Sequence, residues 1–225
     1  MTKYKNLTIL GTSHISKQSV NQVKSSITAL TPNIIALELD KERFLALISA
    51  KQGKRGISFK NFKKLGFKSF LLNLIGAYIE KKLSKSTGIL PGTEMITAIK
   101  LAKDKKIKIA LIDQPIHITL KRLTSQITRK EKLNLIKELL FTPFSKNKIK
   151  FDLNKVPSQK LIKKMIEGTK TKYPTIHRVL VEERNRYMAK GLYKLMNSNL
   201  TSKILAIVGA GHEKEIVGEL KSIKK

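Results

Sequence analysis

Two short stretches at opposite ends of the chain share one pattern, LTILGTSHIS at Leu7–Ser16 and ILAIVGAGHEKEI at Ile204–Ile216. Each is an apolar run, then Gly-x-x-His, then residues typical of a helix. A short apolar run that ends at a glycine is typical of a buried strand. Because the two copies contain two of only four histidines in the chain, we interpret them as matching strand ends of two related halves.

Composition restricts the chemistry that the chain can perform. The 225 residues include 46 Lys and Arg against 16 Asp and Glu, a formal net charge of +30, and no cysteine. The lack of cysteine excludes disulfides, thiolate metal sites and cysteine nucleophiles. The longest apolar stretch, Phe67–Ile79, is interrupted by polar residues and is too short to span a membrane, so we expect a soluble, cytoplasmic chain without a transmembrane segment.

Around the two glycine-histidine stretches the sequence alternates between strand and helix patterns. This alternation predicts an α/β fold with a mostly parallel central sheet flanked by helices, in a single domain over residues 1–225. Residues 51–90 break the alternation and are predicted to be a helical insertion. The predicted strands are Leu7–Leu10, Ile34–Leu39, Ile107–Ile112 and Ile204–Val208, and the predicted helices are Ser16–Leu30, Asp40–Ala50, Thr93–Lys103 and a run from Thr119 to Asn197.

Polar residues follow the ends of all four predicted strands. If the strands are parallel, these residues meet at the carboxyl edge of the sheet, where open α/β sheets bind ligands. Nitrogen and oxygen donors from two histidines and a carboxylate would suit zinc, manganese, cobalt or iron. The two histidines are His14 and His212, Glu38 is one candidate carboxylate, and the other expected pocket residues are Gly11, Asp113 and Gly209.

Each of these residues also has a structural interpretation. The glycines would serve only to turn the chain, and Asp113 would be a turn residue before Pro115. Glu38 interrupts an apolar strand, where an ionised carboxylate is costly unless a cation or strong donors meet it. Asp40 is interpreted as the cap of the following helix.

One helical stretch, IHRVLVEERNRYMAKGL at Ile176–Leu192, contains a carboxylate on a predicted apolar face. Spacings of 4, 3 and 4 align Ile176, Leu180, Glu183 and Tyr187 on a regular helix, with Arg184 beside them. Glu183 would then form a structural ion pair with a nearby arginine, Arg184, Arg186 or Arg122. Alternatively, Glu183 and an arginine would lie at the pocket, as ligand orienter or oxyanion stabiliser.

Six motifs in order resemble the TraB/PrgY family of pheromone-shutdown proteins and their archaeal relatives, within a superfamily that includes Tiki proteases, erythromycin esterases and ChaN-like proteins. The motifs are GTSHIS, ALELDKERF at Ala36–Phe44, GTEMITAI at Gly92–Ile99, LIDQPIHITLKR at Leu111–Arg122, VEERNRYMAKGL at Val181–Leu192 and IVGAGH at Ile207–His212.

The resemblance implies an α/β fold of duplicated halves and, through the Tiki branch, metal-dependent peptidase chemistry. Carried over to this sequence, it makes His14, Glu38 and His212 metal-ligand candidates, with Glu94 as a further carboxylate. Arg122, Glu183 and Arg184 match other polar family positions. The chain departs from the family pattern at Gln114 and at Asn185, where the family often has arginine and aspartate.

Three functional hypotheses follow. The first is a divalent-metal-dependent hydrolase of a peptide or related acyl substrate, with Glu38 or Glu94 as general base and Arg122 or Arg184 as oxyanion stabiliser. The second is a non-catalytic protein that binds and sequesters a peptide or an anionic small molecule. The third is a polyanion-binding accessory protein, whose affinity for nucleic acid would be non-specific and steeply salt-dependent. Each of these hypotheses is compatible with a homodimer.

Overall fold

A computed structural model of the chain describes residues 1–13, 17–51, 92–141 and 167–223. Five strands form one sheet, in the spatial order β1-β2-β5-β3-β4. β1 pairs antiparallel with β2, and the other four strands are parallel. The predicted α/β fold with a mostly parallel sheet is therefore confirmed. The strands are β1 Thr2–Tyr4, β2 Leu7–Thr12, β3 Ile34–Leu37, β4 Lys108–Leu111 and β5 Ile204–Gly209.

Helices cover both faces of this sheet. The predicted insertion at residues 51–90 lies almost entirely outside the described residues. A π-helical turn, Arg178–Glu182, joins two of the later helices. The α-helices are α1 Lys17–Leu30, α2 Lys41–Lys51, α3 Thr93–Asp104, α4 Ile116–Gln126, α5 Arg129–Phe141, α6 Pro174–His177, α7 Glu183–Asn197 and α8 Glu213–Ile223.

The sheet separates two apolar cores because successive strand residues point to opposite faces. On one face, Ala206 and Val208 of β5 pack with side chains of α7 and α8, including Leu192. On the other face, Leu205 and Ile207 of β5 pack with side chains of α1 and α3. All six residues of β5 are buried, which explains why this strand has no polar alternation in the sequence.

The strands that precede the two Gly-x-x-His segments are hydrogen-bonded neighbours. β2 and β5 run in parallel register from Leu7 opposite Ile204 to Thr12 opposite Gly209, so both strands end at the same edge of the sheet. His14 itself lies outside the described residues. Its proximity to His212 therefore remains a prediction.

Close contact between these two strand ends requires a glycine at position 11. A Cβ at Gly11 would lie 2.3 Å from Oε2 of Glu213 and 3.1 Å from the Cα of Ala210. The Glu213 carboxylate is buried and accepts a 2.7 Å hydrogen bond from the hydroxyl of Thr2. Any side chain at position 11 must therefore displace a buried, bonded carboxylate.

We expect Gly11→Ala to lower the free energy of unfolding by about 1–3 kcal/mol, the usual cost of overpacking a close contact. Gly218→Ala is the matched control in α8, because nothing lies within 4 Å of its added Cβ. That control should gain up to about 1 kcal/mol from helix propensity. Urea denaturation measures both changes, and a Gly11→Ala protein as stable as the parent would contradict the close contact.

The first strand was not predicted from the sequence. β1 has only three residues, with a half-buried, exposed, half-buried pattern, which is too short for a periodicity signal. A two-residue turn joins it to β2, with Lys5 in the left-handed region at φ 52°. The side-chain amide of Asn6 donates to the carbonyls of Asn199 and Ser202, so the turn is fixed by contacts from the far end of the chain.

The predicted apolar line through Glu183 and Tyr187 is wrong at Tyr187. Tyr187 is 44% exposed, while Asn185, Met188 and Ala189 of α7 are buried. The prediction assumed a regular helix throughout, but the amide of Glu183 donates to the carbonyl of Arg178, five residues earlier. This wider turn changes the residue spacing and therefore the face that each side chain occupies.

Glu131 joins α5 to α6 at the other end of this helical region. Its Oε2 accepts hydrogen bonds from the amide and hydroxyl of Thr128, a capping box, and its Oε1 accepts from the amide of Thr175 at 2.7 Å. Burial alone would raise the pKa of Glu131, but the bonds from Thr128 and Thr175 lower it below the ordinary value. Glu131 is therefore a structural carboxylate that caps two helices.

Candidate functional site

A row of alternating charges runs along the carboxyl edge of the sheet. Asp40 and Arg43 come from the start of α2, Glu38 follows β3, Asp113 follows β4, and Arg184 lies in the first turn of α7. Arg43 bonds Asp40 and Asp113, and Arg184 bonds Asp113 and Glu38. The side chains of the three carboxylates are at most 4% exposed, so this is a largely buried ionic network.

Arg184 is the central cation of the network. Its Nε donates to Oδ1 of Asp113 at 3.1 Å and its Nη2 to Oδ2 of Asp113 at 2.5 Å. The same Nη2 also donates to Oε1 of Glu38. Nη1 donates to the carbonyl of Leu180 at 3.2 Å, within the π-helical turn. The two-point contact with Asp113 uses the planar fork of a guanidinium, which a lysine cannot reproduce.

The two carboxylates hold Arg184 in its charged form. Burial alone would lower the pKa of Arg184, but the hydrogen bonds and negative charges of Asp113 and Glu38 raise it well above the ordinary value. Arg184 therefore carries its positive charge at neutral pH. It provides a fixed positive charge at the edge of the sheet.

The charge of Asp113 is stabilised in the same way. Burial alone would raise the pKa of this carboxyl, but hydrogen bonds and positive charge from Arg184, together with those from Arg43, lower it below the ordinary value. Its Oδ1 also accepts the amide hydrogen of Gln114 at 2.7 Å. Asp113 is thus a turn residue, one of the two interpretations that the sequence left open, and also a member of the ionic network.

Glu38 connects the network to the central strands. It directly follows β3, and its amide donates to the carbonyl of Ile207 in β5 at 3.1 Å. Its Oε2 accepts the amide hydrogen of Gly209 at 2.5 Å, and its Oε1 faces Arg184. A strong backbone donor and a cation therefore offset the cost of burying this carboxylate.

His212 lies next to Glu38 and Arg184. Its Nε2 is 3.5 Å from Oε1 of Glu38 and 3.4 Å from Nη1 of Arg184. On the other side of the ring, Nδ1 is 2.6 Å from Oδ1 of Asn185. The imidazole is 11% exposed, so one nitrogen faces the charged network while the other is held within the protein.

The structure thus brings Glu38, Asp113, Arg184 and His212 together, with Gly209 as a backbone donor. Of the other candidate residues, His14 lies outside the described residues. Arg122 and Glu183 pair with one another at 2.7 Å at a more exposed position, where the arginine side chain is 48% exposed. Glu94 is buried in the first turn of α3, and Gly11 lies against Glu213.

Sequence reasoning missed two members of the site, Arg43 and Asn185. Arg43 follows Asp40 by three residues, and its amide donates to Oδ1 of Asp40 at 2.9 Å, as expected of a helix cap. Asp40 also accepts the amide hydrogen of Ile116 at 3.1 Å. The sequence signal that could have identified Arg43 was its position three residues after the helix-capping Asp40. Asn185 was visible only as a departure from the family pattern.

Two of the site residues, His212 and Glu38, carry donor atoms of the types that bind divalent cations, and Arg184 contacts the same two atoms, Nε2 and Oε1. Two tetrahedral ligands each about 2.1 Å from one ion lie about 3.4 Å apart, close to the 3.5 Å between His212 Nε2 and Glu38 Oε1. Three carboxylates face two arginines in the network, which leaves one negative charge.

No cluster of three or more metal-ligating side chains occurs within residues 1–13, 17–51, 92–141 and 167–223, and His14, the third proposed ligand, lies outside them.

A model of the TraB/PrgY/gumN family matches residues 2–225. The chain belongs to this family. Within the described part of this TraB-family chain, no helix has the length and apolar character needed to span a membrane.

Relatives of this TraB-family chain occur in archaea and mammals. An uncharacterized protein of Methanocaldococcus jannaschii is 39% identical over 216 residues, covering 96% of this chain and 53% of the relative. TraB domain-containing proteins of Bos taurus and Homo sapiens are each 24% identical over 228 residues, covering 91% of this chain and 59% and 60% of those proteins. The chain therefore spans little more than half the length of these relatives.

Proposed function

We propose that this TraB-family chain is a divalent-metal-dependent hydrolase that acts on a peptide or a related acyl substrate. The observation that carries the proposal is the position of His212, whose Nε2 lies beside both Glu38 and Arg184 at the carboxyl edge of the sheet. A donor nitrogen, a carboxylate and a fixed cation in one place are the groups that hydrolysis of a carbonyl bond requires.

His212, Glu38 and His14 would hold the ion. When bound, such an ion would polarise the substrate carbonyl and lower the pKa of a water molecule. Arg184 would stabilise negative charge on the carbonyl oxygen, because its guanidinium is already oriented by Asp113 and need not reorganise. With Glu38 on the ion, Glu94 would accept the proton from water, and Glu38 would be the base if another carboxylate held the ion.

Metal titration with a matched pair of histidine variants tests this proposal. The protein is prepared free of metal, Mn²⁺, Co²⁺ or Zn²⁺ is added, and cleavage of a peptide library is followed. We expect metal-dependent cleavage whose kcat/KM falls at least ~100-fold in His212→Ala, the lower range of a general acid–base or ligand contribution. His117→Ala is the control, because that ring is 60% exposed and contacts Glu42 on the surface.

Binding without turnover is the second candidate, and one observation favours it. Both oxygens of Asp113 are bonded by arginines, and both oxygens of Glu38 have donors. Carboxylates with a donor on each oxygen preserve the geometry and charge of a binding site, but they transfer protons less readily. Binding of library peptides without cleavage at saturating metal would support this candidate. Absence of metal uptake by the parent protein, or unchanged uptake in His14→Ala, would reject the metal-dependent hydrolase.

A further inference from the structure

The ring of His212 is held by Asn185, a buried asparagine that was not among the predicted site residues. Asn185 lies in α7 and is 3% exposed. Its Oδ1 is 2.6 Å from Nδ1 of His212, in a contact shielded from water. A buried contact this short between polar atoms must be a hydrogen bond, so one of the two groups donates.

The contact on the other side of the ring decides which group donates. Arg184 approaches Nε2 of His212 with Nη1 at 3.4 Å, and a guanidinium has donors but no acceptor. A lone pair on Nε2 satisfies this contact, whereas a proton on Nε2 would face the guanidinium donors. In the neutral imidazole the single proton then lies on Nδ1 and is donated to Oδ1 of Asn185.

The opposite arrangement conflicts with the same neighbour. If the Asn185 amide were turned over, its NH₂ group would donate to Nδ1, and the ring proton would move to Nε2. That proton would then point towards the N–H groups of Arg184. Glu38 could accept it only across 3.5 Å, with an oxygen that Arg184 already bonds.

We propose that Asn185 is the positioning residue of His212, which it holds in the Nδ1–H form with the Nε2 lone pair directed at the charged network. The proposed function assigns Nε2 to the metal, so the expected effect of Asn185 on metal binding rests on that function. Hydrogen bonds of this kind to the second nitrogen of a histidine ligand orient it and raise its affinity for the ion. Asparagine supplies the acceptor without adding a charge.

Long-range ¹H–¹⁵N NMR correlation on ¹⁵N-histidine-labelled protein tests the orientation directly, without metal or substrate. At neutral pH the His212 signals, identified by their loss in His212→Gln, should show the Nδ1–H pattern. Asn185→Asp should keep that pattern because it retains the acceptor oxygen. Asn185→Leu should lose it, since leucine has a similar volume and no acceptor.

Asn199→Leu is the control for a generic effect on α7, because the Asn199 amide donates to the carbonyl of Leu195 near the end of that helix. This variant should leave the His212 pattern unchanged. An Nε2–H pattern or a doubly protonated ring in the parent protein would overturn the inference. An Asn185→Leu protein with the parental pattern would overturn it as well.

Isothermal titration with Mn²⁺, Co²⁺ or Zn²⁺ provides the second readout. Asn185→Leu should weaken binding by about 10- to 100-fold, and Asn185→Asp should restore it. If the parent protein binds none of these ions but shows the Nδ1–H pattern, the proposed metal-dependent function fails while the positioning role stands. Equal metal affinity in the parent and Asn185→Leu would reject the role in metal binding.

Discussion

Arg184→Met is expected to lower the free energy of unfolding by about 3–5 kcal/mol, because it leaves buried carboxylates without their shared cation. Methionine fills much of the same space, so the loss should arise from charge more than from a cavity. Glu38 would keep the Gly209 amide and Asp113 would keep Arg43, so the network would be weakened rather than abolished. Guanidinium denaturation at neutral pH measures the change, provided that parent and variant show equal m-values.

Arg122→Met is the matched control for this experiment. Arg122 also bonds a glutamate, Glu183, at 2.7 Å, but its side chain is 48% exposed whereas that of Arg184 is 15% exposed. Exposed ion pairs contribute less than about 1 kcal/mol. Similar losses in the two variants would mean that burial does not govern the energetics of the network. Arg184→Lys should recover only part of the loss, because one ammonium cannot reproduce the fork on Asp113.

The architecture could be predicted from the sequence because its strands are continuous apolar runs that end at polar residues. β5 is buried along its whole length, and such a strand belongs in the middle of a parallel sheet whichever helices surround it. The assignment of Glu38, Asp113 and His212 to one edge needed only parallel strands. β1 was not predicted because its position depends on long-range contacts of Asn6 rather than on the hydrophobic pattern of its own residues.

The detailed composition of the site could not be predicted in the same way. Helical spacing left two roles open for Glu183, and the structure pairs it with Arg122. Arg184, which was predicted beside it, bonds Asp113 and Glu38. Which carboxylate an arginine bonds depends on the distances between helices and strands that are far apart in the sequence. Arg43 reaches Asp113 across seventy positions of sequence, and nothing in the local pattern indicates that pairing.

The network also couples the chemistry of the proposed site to the stability of the fold. Arg184 links Asp113, at the end of β4, with Glu38, at the end of β3, and Glu38 in turn bonds Gly209 at the end of β5. Three strand ends are thereby fixed around His212. A rigid arrangement of this kind keeps the donors oriented before a ligand arrives, which is what electrostatic stabilisation of a transition state requires.

Asp113→Asn should lower the free energy of unfolding by about 3 kcal/mol at neutral pH, since it removes the fully buried carboxylate that two arginines share. The loss should diminish in acid. The pKa of Asp113 is lowered in the folded protein, so its charge stabilises the fold at every pH above the unfolded-state pKa of about 3.9. That contribution disappears as the pH falls through the folded-state pKa.

The difference between the unfolding free energies of parent and variant, measured in urea from neutral pH down to about pH 3, should therefore shrink once the pH falls below the unfolded-state pKa. Other carboxylates with lowered pKa values, such as Glu131, are common to both proteins and cancel in the difference. Asp104→Asn is the control, because Asp104 is exposed at the end of α3 and its difference should stay small at every pH. A difference for Asp113→Asn that stayed constant or grew in acid would show that the ionised carboxylate is not what Arg43 and Arg184 stabilise.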